Sequence, residues 1–369
     1  MPKAKETVLE INLTSLEENY HYLKSKLSEE TKFMGVVKAF GYGSDAIEIA
    51  KNLVELGVNY LAVAYVKEGV VLRDAGIEAP ILVLHPQPAN FSTLIDRCLE
   101  PSLYSPNVFK QFIKVASEKN QTNYPVHLKF NTGLNRLGFW ENDVDFIDEK
   151  LKESNVIKVA SIFSHLAASE DEKEKDFTIS QIHNFKILTA SLINKIGYSP
   201  LLHICNTSGI LNYPEAHFDM VRSGIGLYGF GNSEVENKNF QPIATLKSII
   251  SQIHQIEKGE SVGYNRAYIS SSFQNTATIP IGHADGISRA YGNGIGWVTI
   301  QGKKAPIIGN VCMDMIMVNI TEIDCKEGDE VIIFGALSTA EKLSASIHSI
   351  SYELITSVSQ RIKRVFHRN

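Results

Sequence analysis

The stretch Val36-Val37-Lys38-Ala39-Phe40-Gly41-Tyr42-Gly43 joins an apolar run to a lysine and a glycine-flanked tyrosine. The apolar residues Phe33–Val37 predict a buried strand, and the three- and four-residue spacing of apolar residues in Ser44–Leu56 predicts a helix after it. A lysine at the end of a buried strand can be desolvated, which lowers its pKa and favours the neutral, nucleophilic amine. The same position also suits a lysine that simply meets solvent.

This strand–helix unit recurs along the chain to about residue 230. Helix-like spacing returns in Ser105–Lys119 and Phe177–Ile196. The predicted strands are Phe33–Val37, Tyr60–Ala64, Ile81–Leu84, Leu99–Tyr104, Val126–Phe130, Val156–Phe163, Leu201–Ile204 and Met220–Arg222. Eight such units predict an α/β fold of the (β/α)₈ TIM barrel type, although a doubly wound open sheet would show the same alternation.

The pattern changes near residue 235. The polar stretch Asn232–Asn239 is interpreted as a linker, and short strand-like runs separated by Gly- and Asp-rich turns follow it. These runs are Ile243–Ile256, Ser261–Tyr264, Thr276–Pro280, Gly296–Ile300, Ala305–Ile308, Met315–Val318 and Glu330–Ile333. Because 369 residues exceed one ordinary core, we predict a barrel domain over residues 1–235 and a mainly β domain over residues 236–369.

Composition excludes several classes of partner. The net charge of -5 gives no reason to expect nucleic acid or an anionic membrane. The first residues, MPKAKETVLEIN, lack the apolar core of a signal peptide, and no apolar run has the length of a membrane span. The four cysteines show no CxxC pairing, so we expect reduced thiols, no metal site and a cytoplasmic location.

Five cationic or titratable residues stand at the C-terminal ends of predicted barrel strands, or just after them. They are Lys38, Lys129, His165, His203 and Arg222. That rim carries the active site in barrel enzymes, and such a cluster would suit an anionic ligand. Polar residues also occur at strand ends merely because they meet solvent there.

Several of these segments resemble motifs of the alanine racemases. Besides Val36–Gly43, the matching segments are Lys129–Phe139 (KFNTGLNRLGF), Ser164–His165, Phe218–Gly229 (FDMVRSGIGLYG), Val262–Tyr264 (VGY), Ile281–Gly286 (IGHADG) and Val311–Asp314 (VCMD). Each motif is weak alone, but together they run in the family's order from about Val8 to Phe366.

The resemblance implies a pyridoxal 5'-phosphate (PLP) enzyme that interconverts L- and D-alanine and supplies D-alanine for peptidoglycan. Lys38 would form the internal aldimine and act as the base on the D-alanine side of an external aldimine. Tyr264 of a second subunit would be the base on the L-alanine side, which implies a homodimer with shared active sites. Racemisation needs two such groups because a proton leaves one face and another returns to the opposite face.

The resemblance also assigns the cofactor ligands. Arg222 would face the pyridine nitrogen, and His165 and His203 would orient it, although either could be an ordinary core histidine. The phosphate would be held by Tyr42, Thr207 and the N–H groups of Gly224 and Ile225, at a glycine-containing segment that leads into a helix. Ser208 is an alternative to Thr207, which stands where the family usually has serine.

Substrate binding is assigned to Arg136 and to the backbone of Met313, with Asp314 fixing the Met313 loop. Lys129 is a candidate for carbamylation, which would replace a cation beside Arg136 with an anion.

The family's usual aspartate and glycine near Lys129 are Asn131 and Asn135 here. Further departures are His283, Asn310 and Gln360, which stand where tyrosine, arginine and tyrosine occur in relatives.

Three other functions compete with this one, and the C-terminal β domain of this chain argues against one of them, the carrier. The first is a racemase of broader specificity, because a binding pocket discriminates against one extra methylene by only about 1–3 kcal/mol. A non-catalytic PLP-binding carrier would lack the C-terminal β domain. A decarboxylase of related architecture shows no matching substrate motif.

Overall fold

The computed structural model describes residues 5–335 and 339–368. The strands are β1 (Val8–Asn12), β2 (Lys32–Val36), β3 (Tyr60–Val63), β4 (Ile81–Val83), β5 (Glu100–Leu103), β6 (Tyr124–Lys129), β7 (Ile157–Phe163), β8 (Leu201–His203), β9 (Met220–Ser223), β10 (Ala244–Ile249), β11 (Gln252–Ile256), β12 (Ser261–Val262), β13 (Tyr268–Ile269), β14 (Gln274–Ile279), β15 (Trp297–Ile300), β16 (Lys303–Ile308), β17 (Ile316–Asn319), β18 (Glu330–Phe334) and β19 (Lys363–His367). The α-helices are α1 (Leu13–Lys24), α2 (Ala46–Glu55), α3 (Val66–Asp74), α4 (Phe91–Asp96), α5 (Pro106–Glu118), α6 (Val144–Glu153), α7 (Lys175–Ile196), α8 (Thr207–Asn212), α9 (Glu234–Asn237), α10 (Ala340–Ala345) and α11 (Ser351–Ser357).

Strands β2 to β9 form a parallel sheet in the order β8-β7-β6-β5-β4-β3-β2-β9. The sheet curves round until its end strands meet. The N–H of Asp219 donates to the Leu202 carbonyl and that of Arg222 to the Cys205 carbonyl, each at 3.1 Å. The (β/α)₈ barrel is therefore confirmed and the open doubly wound sheet is excluded.

The barrel helices form because their sequences carry both a cap and an apolar face. In α5 the Ser105 hydroxyl accepts from the N–H of Val108 at 3.3 Å, and a proline occupies the first turn. The same helix buries Val108, Phe109 and Phe112, which follow the three- and four-residue spacing of an amphipathic helix. Glycine closes α7, since Gly197 adopts a left-handed φ of 77° after its last turn.

A second compact unit is mainly β and holds a sheet in the order β11-β14-β17-β16-β15-β18-β10-β1-β19, with a separate β12-β13 pair. Its described residues are 5–16, 42–45, 241–335 and 339–368. Strand β1 belongs to it because it pairs antiparallel with β10 and parallel with β19. The division thus differs from the predicted boundary at residues 235 and 236, since the first strand of the chain joins the β unit.

The interpretation of Asn232–Asn239 as a linker does not hold for the middle of the stretch. These residues include helix α9, in which Glu236 is buried. Its carboxylate accepts from the Ser208 hydroxyl at 3.0 Å and the Asn212 amide at 2.9 Å. Polar residues here serve a buried hydrogen-bond network rather than a solvated connection. Among residues 5–335 and 339–368, no helix is long and apolar enough to cross a membrane.

Candidate active site

Lys38 follows β2 and begins a left-handed turn. Ala39, Phe40 and Gly41 have φ values of 53°, 56° and 60°. The turn is held by Glu68, which the sequence analysis did not single out. One carboxylate oxygen of Glu68 accepts from the N–H of Ala39 at 2.6 Å, and the other accepts from the N–H of Ala64 at 2.7 Å. This carboxylate thereby ties the lysine turn to the end of the neighbouring strand β3.

The ends of β2 and β6 each carry a lysine whose pKa is lowered. Burial is the main cause for Lys38, and the positive charge of Arg136 adds to it. Burial lowers the pKa of Lys129 to about 8, and the charges of Arg136, Arg222 and Lys38 contribute. Positive charges therefore dominate the surroundings of Lys129. Among the described residues, no group accepts a hydrogen bond from the Lys129 ammonium, which instead lies 5.8 Å from the Phe163 ring centroid.

Arg222 lies on β9 and is buried. Its Nη1 donates to Nδ1 of His203 at 2.6 Å. Its Nη2 donates to the carbonyl of Ser164 at 2.8 Å, and Nδ1 of His165 lies 3.1 Å away. Burial beside the guanidinium holds the pKa values of His165 and His203 well below their usual range, so both rings are neutral. In the part of the chain that the structure describes, no group accepts from Nε of Arg222.

The turn after β9 presents two N–H groups with no protein acceptor among the described residues, those of Gly224 and Ile225. Turns continue from there instead of the predicted helix. Thr207 faces this turn, since its hydroxyl lies 3.0 Å from the Ser223 hydroxyl and accepts from the N–H of Gly226 at 3.3 Å. Ser208 donates to Glu236 instead, which favours Thr207 as the anion ligand of the two.

The loop after β6 carries two of the departures from the family motifs, Asn131 and Asn135, and these two residues contact each other. The amide of Asn131 donates to the side-chain oxygen of Asn135 at 2.8 Å and accepts from the N–H of Asn135 at 2.9 Å. Asn135 has a φ of 56°, a left-handed conformation that asparagine tolerates where glycine is usual. Arg136, the next residue, is exposed.

In the β unit, Tyr264 and Met313 line an open cavity of about 440 Å³ together with Cys312 and Met317. The two side chains are 73% and 58% exposed, which is unusual for large apolar groups side by side. The carbonyl of Met313 accepts from the N–H of Ala284 at 3.0 Å. Within the described residues the N–H of Met313 has no acceptor, so it is available to a ligand.

The Met313 loop is anchored by a charged clamp that the sequence analysis missed. Arg361 donates from Nε to Asp285 at 2.7 Å and from Nη2 to Asp314 at 2.6 Å. Asp314 therefore contacts the group that fixes the loop. Of the other departures from the family motifs, His283 and Gln360 are exposed.

Tyr42 also belongs to the β unit, where it is buried and its ring centroid lies 6.1 Å from that of Tyr352. Burial raises the pKa of its hydroxyl, which therefore stays protonated and able to donate. Its assignment to the phosphate stays a prediction.

The fold and the site define a class: two-unit barrel enzymes with a lysine and a buried, histidine-held arginine at strand ends. Models of the alanine racemase N-terminal and C-terminal domains match residues 11–231 and 243–366. The chain therefore belongs to the alanine racemase family, as the motifs predicted.

Individual relatives agree over nearly their full lengths. Alanine racemase 2 of Caldanaerobacter subterraneus subsp. tengcongensis is 36% identical, over 98% of this chain and 94% of the relative. The alanine racemase structure from Clostridium difficile 630 is 36% identical with a TM-score of 0.93, over 100% of this chain and 97% of that one. The Bartonella henselae alanine racemase, solved with covalently bound pyridoxal phosphate, is 28% identical with a TM-score of 0.88, over 99% and 100%.

Proposed function

We propose that this chain interconverts L- and D-alanine with bound PLP, using Lys38 and Tyr264 of the partner subunit as its two bases. The observation that carries the proposal is the environment of Arg222, which is buried and hydrogen-bonded to His203, to His165 and to a backbone carbonyl. The charge of Lys38 acts on the same site, because it lowers the pKa of His165. The matches to both domain models favour this activity over the carrier and the decarboxylase. The D-alanine formed would supply peptidoglycan synthesis in the cytoplasm.

The residues present fit PLP because their unsatisfied donors match its acceptors. Nε of Arg222 lacks an acceptor among the described groups, as a partner for a pyridine nitrogen should. The Gly224 and Ile225 N–H groups and the Thr207 hydroxyl form a small anion cradle suited to phosphate. When bound, PLP would delocalise the negative charge left on the α-carbon after the α-proton is removed.

Lys38 can hold and move a proton at Nζ. Its lowered pKa increases the fraction of neutral amine near pH 7, and a neutral amine is both a nucleophile and a base. Its orientation is controlled by the turn that Glu68 fixes through Ala39. Lys38 would therefore bind the cofactor covalently and exchange the proton on one face of the substrate.

Arg222 is suited to keep the ring nitrogen unprotonated. A guanidinium has five N–H donors and no acceptor, so it offers a hydrogen bond without giving up its proton. Burial lowers the pKa of Arg222 only to about 10, so the guanidinium remains charged near pH 7. A pyridine ring with an unprotonated nitrogen withdraws electrons less strongly, which should limit side reactions such as transamination.

The second base and the carboxylate contact are proposed to come from the β unit of a partner subunit. Tyr264 is largely exposed beside Met313, whose N–H lacks an acceptor in the described chain. A symmetric dimer would let each subunit complete the other's site. Arg136 is exposed, and its positive charge lowers the pKa values of Lys38 and Lys129. An exposed guanidinium beside the proposed cofactor lysine is suited to bind a substrate carboxylate.

The proposal is tested with purified, PLP-loaded protein. D-alanine formation from L-alanine should be detected, and borohydride should attach PLP to Lys38 irreversibly. Lys38→Ala should abolish both, whereas Lys114→Ala, on the surface of α5, should change neither. Labelling of another lysine, or full racemisation by Lys38→Ala, would overturn the assignment. A panel of other amino acids in the same assay measures substrate breadth.

A further inference from the structure

From Arg222, a line of hydrogen-bonded side chains runs across the neighbouring strands β8, β7, β6 and β5. His203 Nε2 lies 2.8 Å from the Ser161 hydroxyl, which lies 2.6 Å from Nδ1 of His127. Nε2 of His127 lies 2.7 Å from a carboxylate oxygen of Glu100. Ser161, His127 and His203 are fully buried, and the Glu100 side chain is 12% exposed.

The line depends on the register of β5 to β8. Val126 pairs with Val159 but His127 pairs with Ser161, so the ladder between β6 and β7 shifts by one residue at this point. That bulge brings Ser161 beside His127. On β8, His203 pairs with Phe163, two residues beyond Ser161 and on the same face of β7. The line therefore runs diagonally from one strand to the next.

The donors and acceptors permit one consistent arrangement of protons when both histidines are neutral. Arg222 can only donate, so Nδ1 of His203 accepts and its proton is on Nε2. That proton goes to Ser161, whose own hydroxyl proton then goes to Nδ1 of His127. His127 therefore carries its proton on Nε2 and donates to the Glu100 carboxylate, which can only accept. Every link is satisfied, from a cation at one end to an anion at the other.

We propose that Glu100, His127 and Ser161 are positioning residues that lock His203 with its proton on Nε2 and so keep Arg222 in place. This inference rests on the proposed function, because it takes Arg222 to be the partner of the pyridine nitrogen. Without Ser161, the tautomer with a proton on Nδ1 of His203 becomes accessible. It would turn an N–H toward another N–H of Arg222 and break their bond.

The line also connects Arg222 to a negative charge, that of Glu100, through three hydrogen-bonded side chains. Among the described residues, no carboxylate contacts this buried cation. Burying an uncompensated charge is costly, and the two imidazoles and the hydroxyl align their dipoles from Glu100 toward Arg222. A relay of polarised groups in a low-dielectric interior couples its ends more strongly than water would.

Ser161→Ala is the decisive variant. In the PLP-loaded enzyme, nitrogen-15 NMR of labelled histidine should show His203 losing its single tautomer. The turnover number should fall about tenfold with a nearly unchanged KM, and the ratio of racemisation to transamination should fall with it. Ser161→Thr retains the hydroxyl and should restore the single His203 tautomer, the turnover number and the ratio of racemisation to transamination. Glu100→Gln still accepts from His127, so it should retain the tautomer and lose turnover only in part.

Ser102→Ala is the matched control. Ser102 is fully buried on β5 opposite His127, and its hydroxyl has no hydrogen-bond partner among the described residues. It should leave all three values unchanged, and thermal unfolding should show that each variant is folded. If Ser161→Ala behaves like Ser102→Ala, the positioning role is wrong. If Arg222→Lys also leaves the PLP absorption spectrum and the racemisation ratio unchanged, the proposed role of Arg222 itself fails.

Discussion

The side-chain amide of Asn310 donates to the backbone carbonyl of Tyr264 at 3.2 Å. The turn that it holds is a constrained one, because the next residues, Asn265 and Arg266, have φ values of 59° and 51°. Left-handed backbone at residues other than glycine is unfavourable and persists only where neighbouring contacts enforce it. Asn310 thus replaces the family's usual arginine with a group that fixes the backbone of the proposed second base.

Removing this contact should impair Tyr264. We expect Asn310→Ala to lower the turnover number about three- to tenfold, because losing one hydrogen bond of about 1 kcal/mol frees the turn. Initial rates in both directions provide the measurement. Asn275→Ala, on β14 of the same unit, removes an amide that bonds to no described residue and should have little effect. Equal rates for the two variants would show that Asn310 does not position Tyr264.

A shared site can be tested by subunit exchange. Lys38→Ala and Tyr264→Phe should each be nearly inactive, because each lacks one of two required bases. After dissociation and reassociation of equal amounts, about half of the dimers should be mixed, each with one intact site. About a quarter of wild-type activity should return. If subunits are shown to have exchanged and activity stays absent, both residues act from one chain.

Lys129 should make the stability of the cofactor-free protein depend on pH. Its pKa is about 8 in the folded protein, against an ordinary value of 10.5. Below pH 8 both states are protonated and the folded state carries the cost of a buried cation. Between pH 8 and 10.5 only the unfolded state retains the proton, so the free energy of unfolding should rise with pH, by at most about 3 kcal/mol.

Denaturant titrations in carbon dioxide-free buffer measure this rise, which Lys129→Met should lack. Carbamylation would remove the titrating amine, so bicarbonate should suppress the rise and a labelled carbamate should appear in carbon-13 NMR. A wild-type protein with the flat profile of Lys129→Met would show that Lys129 is not a desolvated amine.

The Arg361 clamp should affect substrate binding more than turnover. We expect Arg361→Ala to raise the KM for alanine about tenfold, because Asp314 loses its anchor and the Met313 loop is freed. Arg361→Lys should be intermediate, since an ammonium lacks the planar fork that bonds two carboxylates at once. Steady-state kinetics measure both. A fall in turnover without a change in KM would contradict the role of this loop in binding.

The ends of most barrel strands were predictable to within two residues. Each strand is a short apolar run, which can be recognised from neighbouring residues in the sequence alone. Lys129, for example, ends its strand as expected. Strand β1 was missed, since its five residues, VLEIN, are too short a run to assign to either unit until β10 and β19 pair with it. Glu68 and Arg361 were also missed, because their partners lie 29 and 76 residues away in the chain.

By itself, the amino-acid sequence determined the strand–helix succession, the position of Lys38 after a buried strand and the motifs of the family. Hydrophobic periodicity and short motifs act within a few residues, so they can be recognised in a linear chain. Only the tertiary structure decided that Glu100, His127, Ser161 and His203 form one line ending at Arg222. That line requires a bulge and a particular register between strands, and register is set by the packing of the whole barrel.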